Sequence, residues 1–312
     1  MKRREFVATL GTGLAGALVP PLPHLRTERF VERWSWAMGQ AVHLTVFADS
    51  EDQGFEACAQ ALAELRRVEA RLSLFDDASD LCELNRRAGR GGWGGAMRAD
   101  DDLRVVAAAA AAFQRRTAGA FNAAVEPLMR MWGFHPLQEQ VEYPDRVVYE
   151  EALEAVATAT VRLEGDRIEL PNRHTQLDFG GIAVGYGIDR VIRVLRSAGI
   201  HRAFVDVSGD CYGLGAPPGQ PEGWVVQIAD TAQEVRLRDA ALATSSNAKT
   251  VVRLGYWDKL GHIMDPASGF PVEVEQKVTV LAPTALAADA LSTGVLVRQQ
   301  VPYGVRAIFT PE

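Results

Sequence analysis

Cysteine is scarce in this 312-residue sequence, and its basic residues are dispersed rather than clustered. The three cysteines, Cys58, Cys82 and Cys211, are an odd number without the paired spacing of a metal site. We therefore expect buried or free thiols, and not a fold organised by disulfides or by a cysteine zinc site. The net charge is −7, and without a basic patch the sequence excludes the electrostatic footprint of a nucleic-acid-binding protein.

A transmembrane-length apolar run is also missing near the N-terminus, because the run over residues 7–19 is too short to span a bilayer as a permanent helix. It follows the paired arginines Arg3 and Arg4, which is the layout of an export signal. Twin arginines and a glycine-rich, mildly apolar core favour the route that carries folded proteins. We therefore expect residues 1–25 to be a cleaved twin-arginine-type signal and the protein to be periplasmic or in the cell envelope. No cysteine follows the run, so a lipid anchor is not indicated.

The remaining residues, 26–312, have the composition of a globular protein, since 47% of the whole chain is hydrophobic and 23% is charged. Alternating apolar residues on both sides of Met38 and Gly39 predict a hairpin. Helical spacing predicts helices over residues 55–72, 100–116 and 146–157, and further antiparallel strands follow residue 203.

One stretch joins a carboxylate, two glycines and a helix start: LDFGGIAVGYGID, residues 177–189. Gly180 and Gly181 allow positive φ and a close approach of the backbone to a ligand. The helical spacing that begins at Ile182 places a helix N-terminus directly after the glycines, and such an end presents unpaired N–H groups to an anion. A glycine pair between strand and helix is also compatible with an ordinary tight turn.

Near the C-terminus, a predicted helix is apolar almost all round except for Asp289, Ser292 and Thr293. These three residues have i, i+3 and i+4 spacing and therefore share one face. A carboxylate on a buried helix has to be compensated. Two compensations stay open at this point: hydrogen bonds to the neighbouring chain, or a hard cation with a magnesium-like set of oxygen ligands.

Two ring side chains lie in predicted loops where they can face a cleft. His262 ends a strand just before a turn, and the ordinary pKa of histidine suits proton transfer near neutrality. Phe75 lies in a polar loop, where an aromatic ring is either a hydrophobic plug or a stacking surface for a flat ligand.

Seven motifs occur together, in this order: MG at residue 38, LSLFDDASDLCELN at 72, GAFNAAVEPLMRMWGF at 119, LDFGGIAVGYGID at 177, SGD at 208, HIMDPASGFP at 262 and ADALSTG at 288. With these motifs the chain resembles the FAD:protein FMN transferase family, the ApbE-like flavin transferases, from Met38 to Val297. The resemblance implies an α+β fold of two mixed sheet-and-helix lobes with FAD between them. It also implies Mg²⁺-dependent transfer of FMN from FAD to a Ser or Thr of an acceptor flavoprotein through a phosphoester bond, with release of AMP. Peripheral contact with membrane redox complexes is a further implied expectation.

The resemblance assigns roles to single positions. The positions that contact FAD are Met38, Phe75, Ala120, Phe121, Asn122, Asp178, Val184 and Met264. The metal ligands are the carbonyl of Gly181 and the side chains of Asp289, Ser292 and Thr293. His262 matches the residue that activates the acceptor hydroxyl.

The sequence also departs from the family pattern. Asn122 stands where Asp is usual, Val184 where a charged side chain such as Lys is common, and the usual helix before the last strand is missing. Three functions therefore remain: the transferase, an FAD pyrophosphatase that uses water in place of the protein hydroxyl, and a flavin-binding protein that has lost catalysis.

Overall fold

The computed structural model of the protein describes residues 28–90, 95–228, 231–248, 250–255 and 258–312. The predicted export signal, residues 1–25, lies outside the described residues. The helices are α1 Glu51–Leu72, α2 Asp80–Arg86, α3 Asp101–Arg116, α4 Glu126–Met131, α5 Arg146–Ala157, α6 Ala183–Ser197 and α7 Ala285–Arg298. The strands are β1 Arg29–Ala37, β2 Gln40–Ala48, β3 Met97–Arg98, β4 Gln140–Val141, β5 Arg162–Glu164, β6 Arg167–Glu169, β7 Arg202–Val207, β8 Asp210–Leu214, β9 Trp224–Gln227, β10 Glu234–Leu237, β11 Ala240–Ser245, β12 Val251–Leu254, β13 Asp258–Gly261, β14 Gln276–Ala282 and β15 Arg306–Pro311.

A seven-stranded antiparallel sheet, in the order β1-β2-β7-β8-β11-β14-β15, is the base of the fold. The predicted hairpin is confirmed, because β1 and β2 pair over their whole length and turn at Met38 and Gly39, both with positive φ. Alternation places Val42, Leu44 and Val46 of β2 on one face, where they are fully buried. Helices α1, α6 and α7 contact strands of this sheet, α6 contacts both α1 and α7, and residues of all three contribute to the main core.

A second group of elements packs against the C-terminal part of α1 and the N-terminal part of α6. It contains α2 to α5, the small sheet β3-β6-β5 and the small sheet β13-β12-β4. Its apolar residues form two clusters, one between α1, α3 and α6 and one around α4, α5 and β12. The mixture of antiparallel sheets with helices confirms the predicted α+β fold with two sheet-and-helix parts.

The state of the cysteines agrees with the prediction of buried or free thiols. Cys58, Cys82 and Cys211 are free thiols, and burial raises the pKa of Cys58 to about 11. Within the described part of the chain, no helix has both the length and the apolarity needed to cross a bilayer. Between α7 and β15 the chain forms no helix, so the predicted shortening before the last strand is confirmed.

Candidate active site

Helices α6 and α7 approach each other very closely at Gly185, in the first turn of α6. A Cβ atom at Gly185 would overlap the carbonyl oxygen of Ala285 and would lie 2.8 Å from the Cβ of Asp289. Only glycine fits between the two helices at this point. This contact brings the face of α7 that carries Asp289 against the N-terminal end of α6.

Each of these two helices caps the N-terminus of the other. The backbone N–H of Gly185 in α6 donates to Asp289 Oδ2 at 2.9 Å, and α6 has no cap from its own flanking side chain. In return, Asp189 of α6 accepts from the N–H groups of Ala285 at 2.8 Å and Leu286 at 3.1 Å, at the start of α7. A carboxylate at a helix N-terminus satisfies orphan N–H groups and complements the helix dipole. The N-cap residue Thr284 also accepts from Ala287 N–H, so α7 has two caps.

The four predicted metal ligands lie together at this crossing. A Cβ at Gly181 would lie 3.1 Å from Thr293 Oγ1, so the chain before α6 runs directly past the polar face of α7. The Ser292 hydroxyl donates to the carbonyl of Asp289 at 2.9 Å, one turn earlier on the same face. The glycine pair and the polar face of α7, two distant parts of the sequence, are therefore adjacent in the fold.

The donor set at the crossing fits a hard cation. Asp289 is only 6% exposed. Burial raises the pKa of its carboxyl well above the usual range and the nearby Asp210 adds to the rise, while the Gly185 N–H opposes it. A buried carboxylate of this kind needs a compensating positive charge to stay ionised. Carboxylate, hydroxyl and carbonyl oxygens are the ligands that Mg²⁺ prefers.

The GAFNAA motif packs beside the glycine pair. Asp178 N–H donates to the carbonyl of Ala123 at 2.7 Å, and Asp178 Oδ1 accepts from Gly180 N–H at 2.6 Å. The ring of Phe121 would lie 3.4 Å from a Cβ at Gly181. Asn122 Oδ1 accepts from Ala124 N–H at 2.9 Å, so its amide stabilises the local turn. The structure thus places Asp178 and Phe121, two of the residues predicted to contact FAD, beside the glycine pair.

Phe75 is 83% exposed, the exposure of a ring with an uncovered face. Its nearest ring neighbour is His135, with the centroids 5.3 Å apart and the planes at 89°. His135 Nδ1 lies 2.6 Å from Glu126 Oε2, and Glu126 is completely buried. The other oxygen of Glu126 lies 2.6 Å from Arg130 Nε. Asp178 completes this cluster, since ligand atoms of Glu126, His135 and Asp178 all lie within 4.8 Å of one another.

The Glu126, His135 and Asp178 cluster shifts the charge states of its members. Burial alone would lower the pKa of His135, but the hydrogen bond that its ring donates to Glu126 and the charge of Asp178 outweigh this effect, so the pKa lies above the usual value. Burial raises the pKa of Asp178, and the charges of His135 and His262 partly oppose this. His262 is therefore close enough to Asp178 for the two side chains to interact electrostatically.

His262 follows β13 and is half-buried. The next residue, Ile263, donates its N–H to Asn247 Oδ1 at 3.0 Å, which fixes the start of the loop that carries His262. Met264, predicted to contact FAD, is 5% exposed and packs with Leu128 and Trp132.

Two other predicted FAD-contacting residues lie on or beside α6. Val184 is 7% exposed and its side chain belongs to the main core, so the residue has little side-chain surface to offer a ligand. Met38 is half-buried and its sulfur would lie 2.9 Å from a Cβ at Gly187, on α6. The eight predicted FAD positions thus differ widely in exposure.

Sequence reasoning missed Glu126, His135, Ser245 and Asn247. Glu126 is a charge inside the apolar stripe of residues 125–132, and a buried charge that needs a partner was the signal that could have singled it out. Ser245 Oγ lies 2.7 Å from Ser292 Oγ and 3.2 Å from Thr293 Oγ1. Its place beside the metal-ligand face depends on the pairing of strands distant in sequence, which no local pattern reveals.

Comparisons with known proteins identify the family of this chain. The model of the ApbE family matches residues 38–302. A protein of Treponema pallidum (strain Nichols) named FAD:protein FMN transferase is 29% identical over 261 residues, covering 75% of this chain and 68% of that protein. A protein of Klebsiella pneumoniae (strain 342) with the same name is 26% identical over 283 residues, covering 83% and 76%.

Solved structures show the same similarity. The apo form of the Pseudomonas stutzeri flavinyl transferase ApbE superposes with a TM-score of 0.78 at 25% identity, covering 92% of this chain and 94% of that one. The ApbE protein of Thermotoga maritima superposes with a TM-score of 0.75 at 27% identity, covering 86% and 87%. Because the family model spans most of the chain and the folds agree over nearly their whole length, the chain belongs to the ApbE family.

Proposed function

We propose that the protein is an FAD:protein FMN transferase that uses Mg²⁺ and joins FMN to a Ser or Thr hydroxyl of an acceptor flavoprotein. The observation that supports this proposal is the position of Gly181 beside the polar face of α7, which carries Asp289, Ser292 and Thr293. The names of the relatives in Treponema and Klebsiella support the same reaction.

The reaction needs a group that stabilises the charge on the diphosphate and a base that deprotonates the acceptor hydroxyl. The acceptor oxygen forms a bond to the FMN-side phosphorus, the bond from that phosphorus to the bridging oxygen breaks, and AMP leaves with the bridging oxygen. When bound, Mg²⁺ supplies neutralisation of the charge that develops on the diphosphate. The imidazole of His262 takes the proton of the acceptor hydroxyl as general base.

We propose that FAD binds against the exposed face of Phe75. The residues around the nucleotide would then be Met38, Asp178, Met264 and residues 120–122. Export by the twin-arginine route also remains our proposal, since residues 1–25 lie outside the described residues. With an exported enzyme, the acceptors are flavoproteins of the cell envelope, including membrane redox complexes that the enzyme contacts peripherally.

The test is an incubation of the purified protein with FAD, Mg²⁺ and a flavoprotein acceptor domain that carries a Ser or Thr flavinylation motif. We expect the mass of the acceptor to increase by one FMN and AMP to appear in equal amount. AMP without an adduct would instead identify an FAD pyrophosphatase. Tight FAD binding with neither product would identify a binding protein without catalysis.

His262→Ala tests the proposed base. We expect transfer to slow by roughly 10²- to 10⁴-fold, which is the usual contribution of general base catalysis, while the Kd of FAD stays the same. The exposed His201 lies outside the site and provides the matched control as His201→Ala. Full transfer by the His262 variant would remove that residue from the mechanism.

A further inference from the structure

A three-residue segment, Ser245 to Asn247, contacts both halves of the proposed active site. We name residues 245–247 the bridge segment. It begins with the last residue of β11 and leads into the loop before β12. The first residue contacts the polar face of α7, and the third contacts the loop that carries His262.

The first contact concerns the two hydroxyls proposed as metal ligands. Ser245 Oγ lies 2.7 Å from Ser292 Oγ and 3.2 Å from Thr293 Oγ1. The Ser292 hydroxyl already directs its proton to the carbonyl of Asp289 at 2.9 Å. The Ser292 hydroxyl is therefore held by two partners, Ser245 from β11 and the carbonyl of Asp289 in its own helix. These two contacts restrict the orientation of the Ser292 hydroxyl.

The second contact concerns the start and the end of the His262 loop. Asn247 Oδ1 accepts from Ile263 N–H at 3.0 Å, and Asn247 Nδ2 donates to the carbonyl of Val272. The N–H of Val272 in turn donates to the carbonyl of Ile263 at 2.8 Å. A Cβ at Gly261 would overlap the Asn247 amide, so β13 passes directly over it. One side chain thus holds both ends of the segment that follows His262.

Ser246, the middle residue, anchors the bridge segment at a third point. Its hydroxyl donates to Glu312 Oε1 at 2.6 Å, and the same oxygen accepts from Ala248 N–H at 2.7 Å. Because this anchor involves neither α7 nor the His262 loop, the segment has a fixed position of its own. Its two outer side chains can therefore hold the metal ligands and the base at a set separation.

We propose that Ser245 and Asn247 are positioning residues, Ser245 for the hydroxyls of Ser292 and Thr293 and Asn247 for the loop of His262. The inference rests on the proposed function, since it assigns these residues to the proposed cation site and the proposed base. Neither residue contacts the reacting atoms. Their common role is to set the separation between the diphosphate and the group that deprotonates the acceptor.

Ser245→Ala tests the first half by direct titration of the protein with Mg²⁺ or Mn²⁺, without substrates. We expect the Kd of the ion to rise roughly 10- to 100-fold, as is usual when a group that orients a metal ligand is removed. Thr244→Val is the matched control, because Thr244 Oγ1 makes a similar 2.8 Å contact with Thr279 Oγ1, away from α7. An unchanged Kd in Ser245→Ala, or an equal rise in the control, would overturn this half.

Asn247→Leu tests the second half by separating kcat from binding. We expect kcat to fall roughly 10- to 100-fold, because a small misplacement of a catalytic group has that effect, while the KM for FAD and the Kd of Mn²⁺ stay unchanged. Asn247→Asp keeps the acceptor for Ile263 N–H and is expected to restore part of kcat. If Asn247→Leu does not fold, the Asp variant alone decides, and wild-type kcat together with a wild-type pH profile of the rate would contradict the proposal.

Asp289→Ala in the same titration distinguishes a failure of the proposed cation site from a failure of the proposed role of Ser245. If this variant still binds the ion as tightly as the wild type, the cation site itself is wrong and the proposed function loses its support. If Asp289→Ala abolishes binding and Ser245→Ala does not weaken it, the cation site stands and only the role of Ser245 fails.

Discussion

The two ends of the proposed active site are built in different ways. We call the oxygen cluster at the α6 and α7 crossing the cation end, and the surroundings of Phe75 and His135 the ring end. The cation end is buried and consists of backbone groups and short side chains held by helix packing. The ring end depends on long side chains in loops, and its main aromatic is largely uncovered.

The difference indicates which end is formed before substrate binds. The cation end is held by the reciprocal caps and by core packing, so its geometry exists without a ligand. At the ring end, a ligand ring on Phe75 would bury surface that the folded chain leaves in water. We therefore expect substitutions at the cation end to reduce catalysis, and those at the ring end to reduce affinity for FAD.

The largest effect is expected at the cation end, from Asp289→Ala. Charge stabilisation by a bound metal contributes several kcal/mol, so we expect transfer to fall roughly 10³-fold or more. The measurement is AMP release as a function of Mg²⁺ concentration, with Asp239→Ala, a surface position, as the control. An Asp289 variant with normal, metal-independent activity would contradict the catalytic role of the cation end.

Phe75→Ala is expected to act on affinity alone. Stacking of a flat ring on an aromatic side chain is worth about 1–3 kcal/mol, which corresponds to roughly a 5- to 150-fold higher Kd for FAD. Because Phe75 is exposed in the free protein, the Tm should not change. Phe75→Tyr should bind nearly as well as the wild type. A variant that keeps its FAD affinity but loses kcat would reverse the roles of the two ends.

The pH dependence of stability tests His135 at the ring end. The pKa of His135 in the folded protein lies above its ordinary value near 6.5. Its stabilising contribution is therefore complete below about pH 6.5 and is lost as the pH rises through the folded-state pKa. We expect the difference in free energy of unfolding between wild type and His135→Gln, measured by urea titration, to shrink from pH 6 to higher pH. A constant difference would show that Glu126 and Asp178 do not hold the proton there.

The smallest effect is expected for Asn122→Ala. Its amide accepts one local hydrogen bond, from Ala124 N–H, and such a bond contributes about 0.5–1.5 kcal/mol. We expect a Kd for FAD about two- to tenfold higher, measured by flavin fluorescence. An effect as large as that of Phe75→Ala would mean that Asn122 contributes to recognition beyond this turn.

Local sequence patterns predicted most of the secondary structure. The hairpin at Met38 and the helix over residues 146–157 agree with the structure, because each depends on neighbouring residues. The proximity of Gly181 to α7 was also expected, through the motifs shared with the family.

Features that depend on distant contacts could not be predicted from the same patterns. The pairing of Glu126 with His135 depends on the conformation of the turn between them. The contact of Ser245 with Ser292 depends on the packing of β11 beside α7. Val184 illustrates the same limit, since its place in the motif does not reveal that its side chain packs into the core. Sequence spacing assigns a residue to a face of its helix, and only tertiary packing decides what that face meets.

The reciprocal caps of α6 and α7 also bear on the order of folding. The bonds between Gly185 and Asp289 and between Asp189 and Ala285 span 104 and 96 residues of chain. Neither helix can have its first N–H groups satisfied in this way until the other has been synthesised and has docked, and contacts of such long range form slowly. A nascent chain that ends before α7 therefore lacks both of these caps. In a pulse-labelled refolding experiment, the amides of Gly185 and Ala285 should gain protection from hydrogen exchange together, and late.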